Sequence, residues 1–177
     1  NYLNTFQLIS TKPVVYICNV DENSALSGND YTKKIDEYAK ENNSEVLLIS
    51  AKIESEISQI SDMQDKQDFL ESLGLKETGL KRVIKKGYEI LNYINYFTAG
   101  EKELRAWTII KGTFAPSAAG TIHSDMEKGF IRAETISYDD YVANKGEAGA
   151  KEKGKLRLEG KEYEVKDGDV MHFLFNV

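Results

Sequence analysis

Two short apolar runs, Val14-Val15-Tyr16-Ile17-Cys18 and Val46-Leu47-Leu48-Ile49, restrict the fold of this chain more than any other feature. Each is continuous rather than alternating and rich in branched side chains, the pattern of a strand covered on both faces of a parallel sheet. Between them, Asp30 to Asn42 sets Tyr31, Ile35, Tyr38 and Ala39 at helical spacing. Strand, helix, strand in that order predicts a right-handed βαβ crossover. Two strands are too few for a doubly wound sheet, so the first half reads as the back part of one, with its leading strands missing. The chain begins at Asn1 rather than Met, and Asn1 to Leu8 resembles the tail of an element, which fits a piece of something longer.

Helical spacing continues after the second run. Residues 56–73 carry Ile57, Ile60, Met63, Phe69, Leu70 and Leu73, with Gly74 as a stop. Leu80, Ile84, Gly87/Tyr88, Leu91 and Ile94 then recur every three or four residues opposite Lys81, Arg82, Lys85 and Lys86. A solvated helix surface explains that basic face more simply than a binding patch does.

The second half changes period. Leu104 to Ile110 predicts a strand, Pro116 to His123 a short helix, and Phe130 to Ile136 another strand. Tyr138 to Asn144 reads as a short helix and Gly146 to Gly154 as a loop. Lys155 to Leu158, Glu162 to Val165 and Val170 to Val177 read as strands, separated by turns at Gly160-Lys161 and Lys166-Asp167-Gly168-Asp169. Strands around one helix and a sheet closed within about eighty residues is the order of a β-grasp, or ubiquitin-like, module. The expected boundary lies near Asn95 or Tyr96, giving domains over 1–95 and 96–177.

Composition narrows the function. With 23 Lys and Arg against 29 Asp and Glu, the net charge is −6, which argues against coating nucleic acid by charge alone but leaves room for a local basic face. Neither apolar run approaches the ~20 residues that span a bilayer, so no membrane partner is expected and the simplest setting is cytoplasmic. The single cysteine, Cys18, excludes an internal disulfide and a multi-cysteine zinc site, and its place in an apolar run marks a small buried hydrophobe rather than a nucleophile.

The tetrapeptide Asn19-Val20-Asp21-Glu22 follows the first strand at once, where open α/β sheets bind ligands. An Asn amide can pair with the N7 and six-substituent edge of a purine, and a carboxylate three residues later can reach the Watson–Crick edge. Guanine offers two donors there, N1–H and the 2-amino group, which a short Asp accepts together in the Asn-Lys-x-Asp motif of G proteins. Here Val20 replaces that Lys and Glu22 that Asp, so the guanine fork is lengthened and base preference is relaxed or reversed. Taken alone, the tetrapeptide is explained better by a turn with a helix cap. Ser50-Ala51-Lys52, after the second strand, strengthens the base-site reading, since G proteins use Ser-Ala-Lys to buttress the base through backbone amides. The phosphate machinery is absent: no Gly-x-x-x-x-Gly-Lys-Ser/Thr occurs in the chain.

Other chemistries find less support. His123 and His172 belong to no spaced metal set. Asp139-Asp140 and Asp167/Asp169 sit where capping and turn chemistry account for them. Ser117 lacks a nucleophile-elbow context. No catalytic and no metal residue is assigned. The remaining signal is surface charge: Lys145, Lys151, Lys153, Lys155 and Arg157 form a basic segment, and Lys128 and Arg132 flank Gly129-Phe130. These could contact RNA phosphates, or simply keep a loop soluble.

Longer motifs give a family. Tyr96 to Gly100, Glu103 to Ile109, Ala115-Pro116-x-Ala118-Ala119-Gly120-x-Ile122-His123-x-Asp125, Glu127 to Ala133, Gly154-Lys155-x-Arg157 and Lys166 to Val170 running on to Phe175-Asn176-Val177 closely resemble the C-terminal TGS domain of the YchF group of Obg-like ATPases. Asn19-x-x-Glu22 is characteristic of the same group. The resemblance implies an α/β fold: the C-terminal part of a P-loop NTPase G-domain sheet with its helices, followed by a β-grasp TGS domain. It implies a parent that is a Mg²⁺-dependent NTPase, binds ATP in preference to or alongside GTP, and associates with ribosomes. Asn19 and Glu22 carry over as base-recognition positions, Val20 as a backbone contact, and Ser50, Ala51 and Lys52 as the buttress. Without the P-loop this part is expected to be inactive alone and to hold no cofactor. No DNA partner is implied. The competing expectation is a stand-alone β-grasp module that binds RNA or protein.

Overall fold

The computed structural model describes residues 5–6, 8–100 and 103–176. The expected tail over Asn1 to Leu8 therefore lies largely outside the described residues. The chain forms two compact units, Asn1–Ile90 and Leu91–Val177, divided a few residues ahead of the expected boundary.

In the first unit, β1 (Val15–Asn19) and β2 (Glu45–Ile49) pair in parallel with Asn19 opposite Ile49, joined by α1 (Asp30–Glu41). This is the predicted βαβ unit. Asn29 starts α1 through a capping box, accepting from the Tyr31 and Thr32 amides while Thr32 Oγ1 accepts from the Asn29 amide. The helix buries Thr32 and Ala39 rather than Tyr31, which is 80% exposed. Coverage of the strands is also less than expected: Ile17 is 48% exposed and Cys18 half-buried, because this sheet has two strands.

The helical series over 56–73 divides in two. After α2 (Ala51–Gln59), Ile60 is extended and the Asp62 carboxylate accepts from the Gln64 and Asp65 amides, opening α3 (Met63–Ser72). A side chain that satisfies two orphan amides is favoured over continuing the helix through Ser61-Asp62. Gly74 ends α3 at φ +70°, as its glycine requires. Ile53, Ile57, Leu70 and Leu75 form the core with Ala25. The last helix, α4 (Gly79–Ile90), stops short of the Leu91 and Ile94 positions assigned to it; Asn92 turns the chain at φ 53° and Ile94 lies in a strand.

The second unit is a five-stranded sheet in the order β4-β3-β7-β5-β6. These strands are β3 (Tyr93–Ala99), β4 (Leu104–Ile110), β5 (Phe130–Ser137), β6 (Arg157–Glu159) and β7 (Asp169–Phe175). The first and last run parallel at the centre while the other pairs are antiparallel, which is the β-grasp arrangement. Helix α5 (Ala115–Ile122) lies across one face, and its small Ala115, Ala118 and Ala119 pack on Tyr96, Ile109, Phe130, Ala133, Met171 and Phe173. Tyr96 is fully buried; its hydroxyl donates to the Ala118 carbonyl at 2.9 Å, and burial pushes it up to about 12.

Three expectations here need correction. The stretch read as a loop contains α8 (Glu147–Glu152), following α7 (Tyr138–Ala143), and it is anchored by a fully buried Ala150. A short α6 (Ser124–Lys128) was not foreseen. Glu162 to Val165 makes only an isolated bridge, Phe114 to Glu164, instead of a strand. Among the described residues no helix is long and apolar enough to cross a membrane.

Candidate functional site

The two loops singled out at the ends of the parallel strands meet. The Val20 amide donates to the Ile49 carbonyl at 2.8 Å, carrying the ladder one residue beyond β1 and leaving Asn19 at the sheet edge. Val20 is itself buried and Asn19 exposed. Ser50 caps α2: its hydroxyl accepts from the Ile53 amide, so Ala51 becomes the first residue of that helix. The Ala51 amide, an orphan of the helix start, donates to Asn19 Oδ1 at 3.0 Å. One lone pair of that oxygen is thereby committed, and both Nδ2 hydrogens of the amide remain to donate.

A second cross-link lies beside the first. After Asn19 the chain makes a one-turn 3-10 helix (Glu22–Ser24) capped by Asp21, whose carboxylate accepts from the Ser24 amide at 2.9 Å. That turn brings the Glu22 carboxylate 2.6 Å from Lys52 Nζ, and the carboxylate holds the ammonium above its usual range. Thus Asn19, Val20, Glu22, Ser50, Ala51 and Lys52 form one constellation. It offers outward donors from Asn19, a carboxylate and an ammonium at the C-terminal end of a parallel sheet.

One supporting residue was not legible beforehand. Glu54, one turn into α2, reaches the start of α4, where its Oε1 accepts from the Gly79 amide at 2.6 Å and its Oε2 from the Leu80 amide at 3.2 Å. An acidic residue capping a helix that begins 25 residues later leaves no local signature. Gly79 is needed for this approach, since a Cβ there would meet Ile49 Cγ2 at 2.9 Å and Glu54 Oε1 at 3.0 Å.

The basic set of the second unit divides. Lys128, Arg132, Lys145, Lys151 and Lys153 are exposed. Lys155 Nζ instead pairs with Asp140 at 3.3 Å. Arg157 is built into the fold: it donates to Glu159 at 2.9 Å, to the Tyr163 hydroxyl at 3.1 Å and to Asp169 at 3.4 Å. Asp169 is 2% exposed and also accepts from Tyr163 and the Lys166 amide, closing the turn before β7. Arg157 is therefore tied to three side chains of the fold while its own side chain stays 41% exposed.

The other candidates resolve as capping and surface groups. His123 Nδ1 accepts from the Asp125 amide, Ser137 caps α7 beside Asp140, Asp167 accepts from the Asn95 amide, and Ser117 donates to Glu127. Among the described residues no cluster of three or more His, Cys, Asp or Glu could hold a metal.

A βαβ edge with two convergent strand-end loops, followed by a β-grasp unit, defines the fold class: the C-terminal portion of YchF/Obg-like GTPases. The Schizosaccharomyces pombe YchF GTPase superposes with a TM-score of 0.83 at 36% identity, over 97% of this chain and 46% of that one. A GTP binding protein from Pyrococcus horikoshii shares the fold at a TM-score of 0.63 and 19% identity. The family model YchF-GTPase_C, described as "Protein of unknown function (DUF933)", matches residues 93–176. Ribosome-binding ATPase YchF of Bacillus subtilis is 56% identical over 172 residues, 96% of this chain and 47% of that protein. The protein of the same name from Escherichia coli O157:H7 is 53% identical over 169 residues, covering 96% and 46%. The chain matches the C-terminal part of YchF-family proteins, and it spans about half the length of the curated relatives it matches.

Proposed function

We propose that this chain supplies the base-reading side of the nucleotide site, and the TGS module, of a ribosome-binding ATPase that takes ATP and also admits GTP. The observation that carries the reading is the pair of cross-links between loops 32 residues apart: Ala51 N–H to Asn19, and Lys52 to Glu22. They hold one amide and one carboxylate side by side, as recognition of a purine edge requires. Asn19 Nδ2 donates to N7. Ala51 and Ser50 fix that amide, and buried Val20 holds the loop against the sheet.

Triphosphate chemistry belongs to a P-loop and its Mg²⁺, which the nucleotide phosphates help to hold. The residues present do not fit that ion, because the chain has no P-loop and the described residues contain no metal-ligating cluster. No hydrolytic step is assigned to this chain, and alone it is expected to turn over no ATP. The ribosome is engaged, in this reading, through exposed cations of the second unit, Lys128, Arg132, Lys145, Lys151 and Lys153, with Lys155 shared with Asp140. A cytoplasmic setting follows from that partner.

The test is made in the full-length protein. Val20→Lys together with Glu22→Asp restores the guanine-reading fork and is expected to shift preference toward GTP. Unchanged ATP and GTP affinities would defeat the reading.

A further inference from the structure

The Glu22–Lys52 pair reaches further than its stability would suggest. Lys52 leaves the first turn of α2 and crosses to the neighbouring loop to place Nζ 2.6 Å from Glu22 Oε1. Asp21, the adjacent carboxylate, is engaged with the Ser24 amide and is not a substitute acceptor at the base edge. Position 20, where a cation-bearing stem would otherwise cover a base, is a buried Val. Lys52 is therefore the cation that this constellation holds, and it is spent on the one carboxylate able to accept from a purine.

We propose that Lys52 sets base preference by holding Glu22, acting as a positioning residue rather than as a contact to the base. Guanine needs a free carboxylate to accept N1–H and the 2-amino group, and the ammonium competes for that acceptor. Adenine presents a lone pair at N1, which an unpaired carboxylate would repel; pairing with Lys52 masks the repulsion. Both effects favour adenine. They also give a reason, beyond side-chain length, why Glu22 does not act like the Asp of a guanine fork. This inference rests on the base-site reading above and deepens it, giving a part in base choice to a cross-link that the reading uses only to hold the two loops together.

Competition of ATP and GTP against a fluorescent nucleotide, in the full-length protein, tests it. Lys52→Gln is expected to raise the GTP-to-ATP affinity ratio by about two- to fivefold, the size of an exposed ion pair. Lys52→Arg, which keeps the charge, is expected to retain the wild-type ratio. In a Glu22→Gln background, Lys52→Gln is expected to leave the ratio alone, because nothing remains to release. The ammonium of Lys52, followed by NMR in the present chain, is expected to titrate lower once Glu22 is changed to Gln. An unchanged ratio in Lys52→Gln, a parallel loss of both nucleotides, failure of Lys52→Arg to rescue, or an ammonium indifferent to Glu22 would each overturn the proposal. If the wild-type protein binds ATP and GTP but Lys52→Gln leaves their ratio fixed, only the role of Lys52 falls. If Asn19→Ala as well leaves both affinities unchanged, the base-site reading falls with it.

Discussion

Replacing Glu54 by Ala tests the link between α2 and the start of α4. The carboxylate serves two amides at the start of α4, at 2.6 Å to Gly79 and 3.2 Å to Leu80, from a half-buried position. Loss of a helix cap costs about 0.5–2 kcal/mol, and hydrogen bonds to a charged group contribute about 1.5–3 kcal/mol. The Leu80 bond is long and partly replaceable by water, so the expected loss is about 2 kcal/mol. Glu54→Gln retains one neutral acceptor and should lose roughly half of that. With a urea dependence of about 1–3 kcal/mol per molar for a small unit, Glu54→Ala should lower the midpoint of the first unit by about 1 M. Far-UV circular dichroism follows the helices, the longer of which, α1 and α4, lie in that unit, while Trp107, the single tryptophan, reports the β-grasp unit. The expected result is a shifted helical transition with the Trp107 transition in place. A helical midpoint unmoved by either substitution would refute the assignment of Glu54 as the cap of α4.

Three further outcomes follow from packing and charge. Gly129→Ala would set a Cβ 1.8 Å from the Asn176 carbonyl oxygen, so thermal unfolding should show a loss of about 3 kcal/mol or more, or no folded protein. Tyr96 titrates near 12 in the fold against 10.0 unfolded, because burial disfavours its phenolate; the stability this contributes is complete below pH 10 and lost as pH rises towards 12. Tyr163, also raised to about 12 by burial, adds to the same alkaline loss, so Tyr96→Phe should flatten but not abolish it in denaturation curves taken across that range. Arg157→Gln should lower the melting temperature by leaving Asp169 buried without its cation, whereas Lys151→Gln with Lys153→Gln should leave melting unchanged and weaken co-sedimentation with ribosomes at low salt.

The βαβ unit and β4, α5, β5 and α7 were legible because hydrophobic period and length agree there: an apolar run of five cannot be an amphipathic helix, and Leu104 to Ile110 is strand-like throughout. The misplaced helix ends in the first unit share one cause, which is that period ignores local capping. Asp62 interrupts an unbroken helical spacing, and Asn92, at positive φ, ends α4 before its stripe runs out. Helix α8 was missed because Glu147 to Glu152 offers only alanines for burial, and Ala150 finds its place through tertiary contact. The constellation at the strand ends was legible as two separate loops. Their cross-links were not: which carboxylate meets Lys52, and that Asn19 spends its oxygen on Ala51, depends on the parallel register of β1 and β2. Arg157, counted with the surface cations, also ties Tyr163 and Asp169 together at the turn before β7, a partnership that no local spacing announces.

The proposed purine site lies against the loops at Asn19 to Glu22 and Ser50 to Lys52. Hydrogen exchange of the full-length protein, with and without saturating ATP, tests it most directly, because the Ala51 and Ser24 amides report on those loops. Slower exchange is expected in peptides covering 19–24 and 50–53, with the β-grasp peptides over 104–110 and 130–137 unchanged. Bound ATP with no change at 19–24 and 50–53 would contradict it.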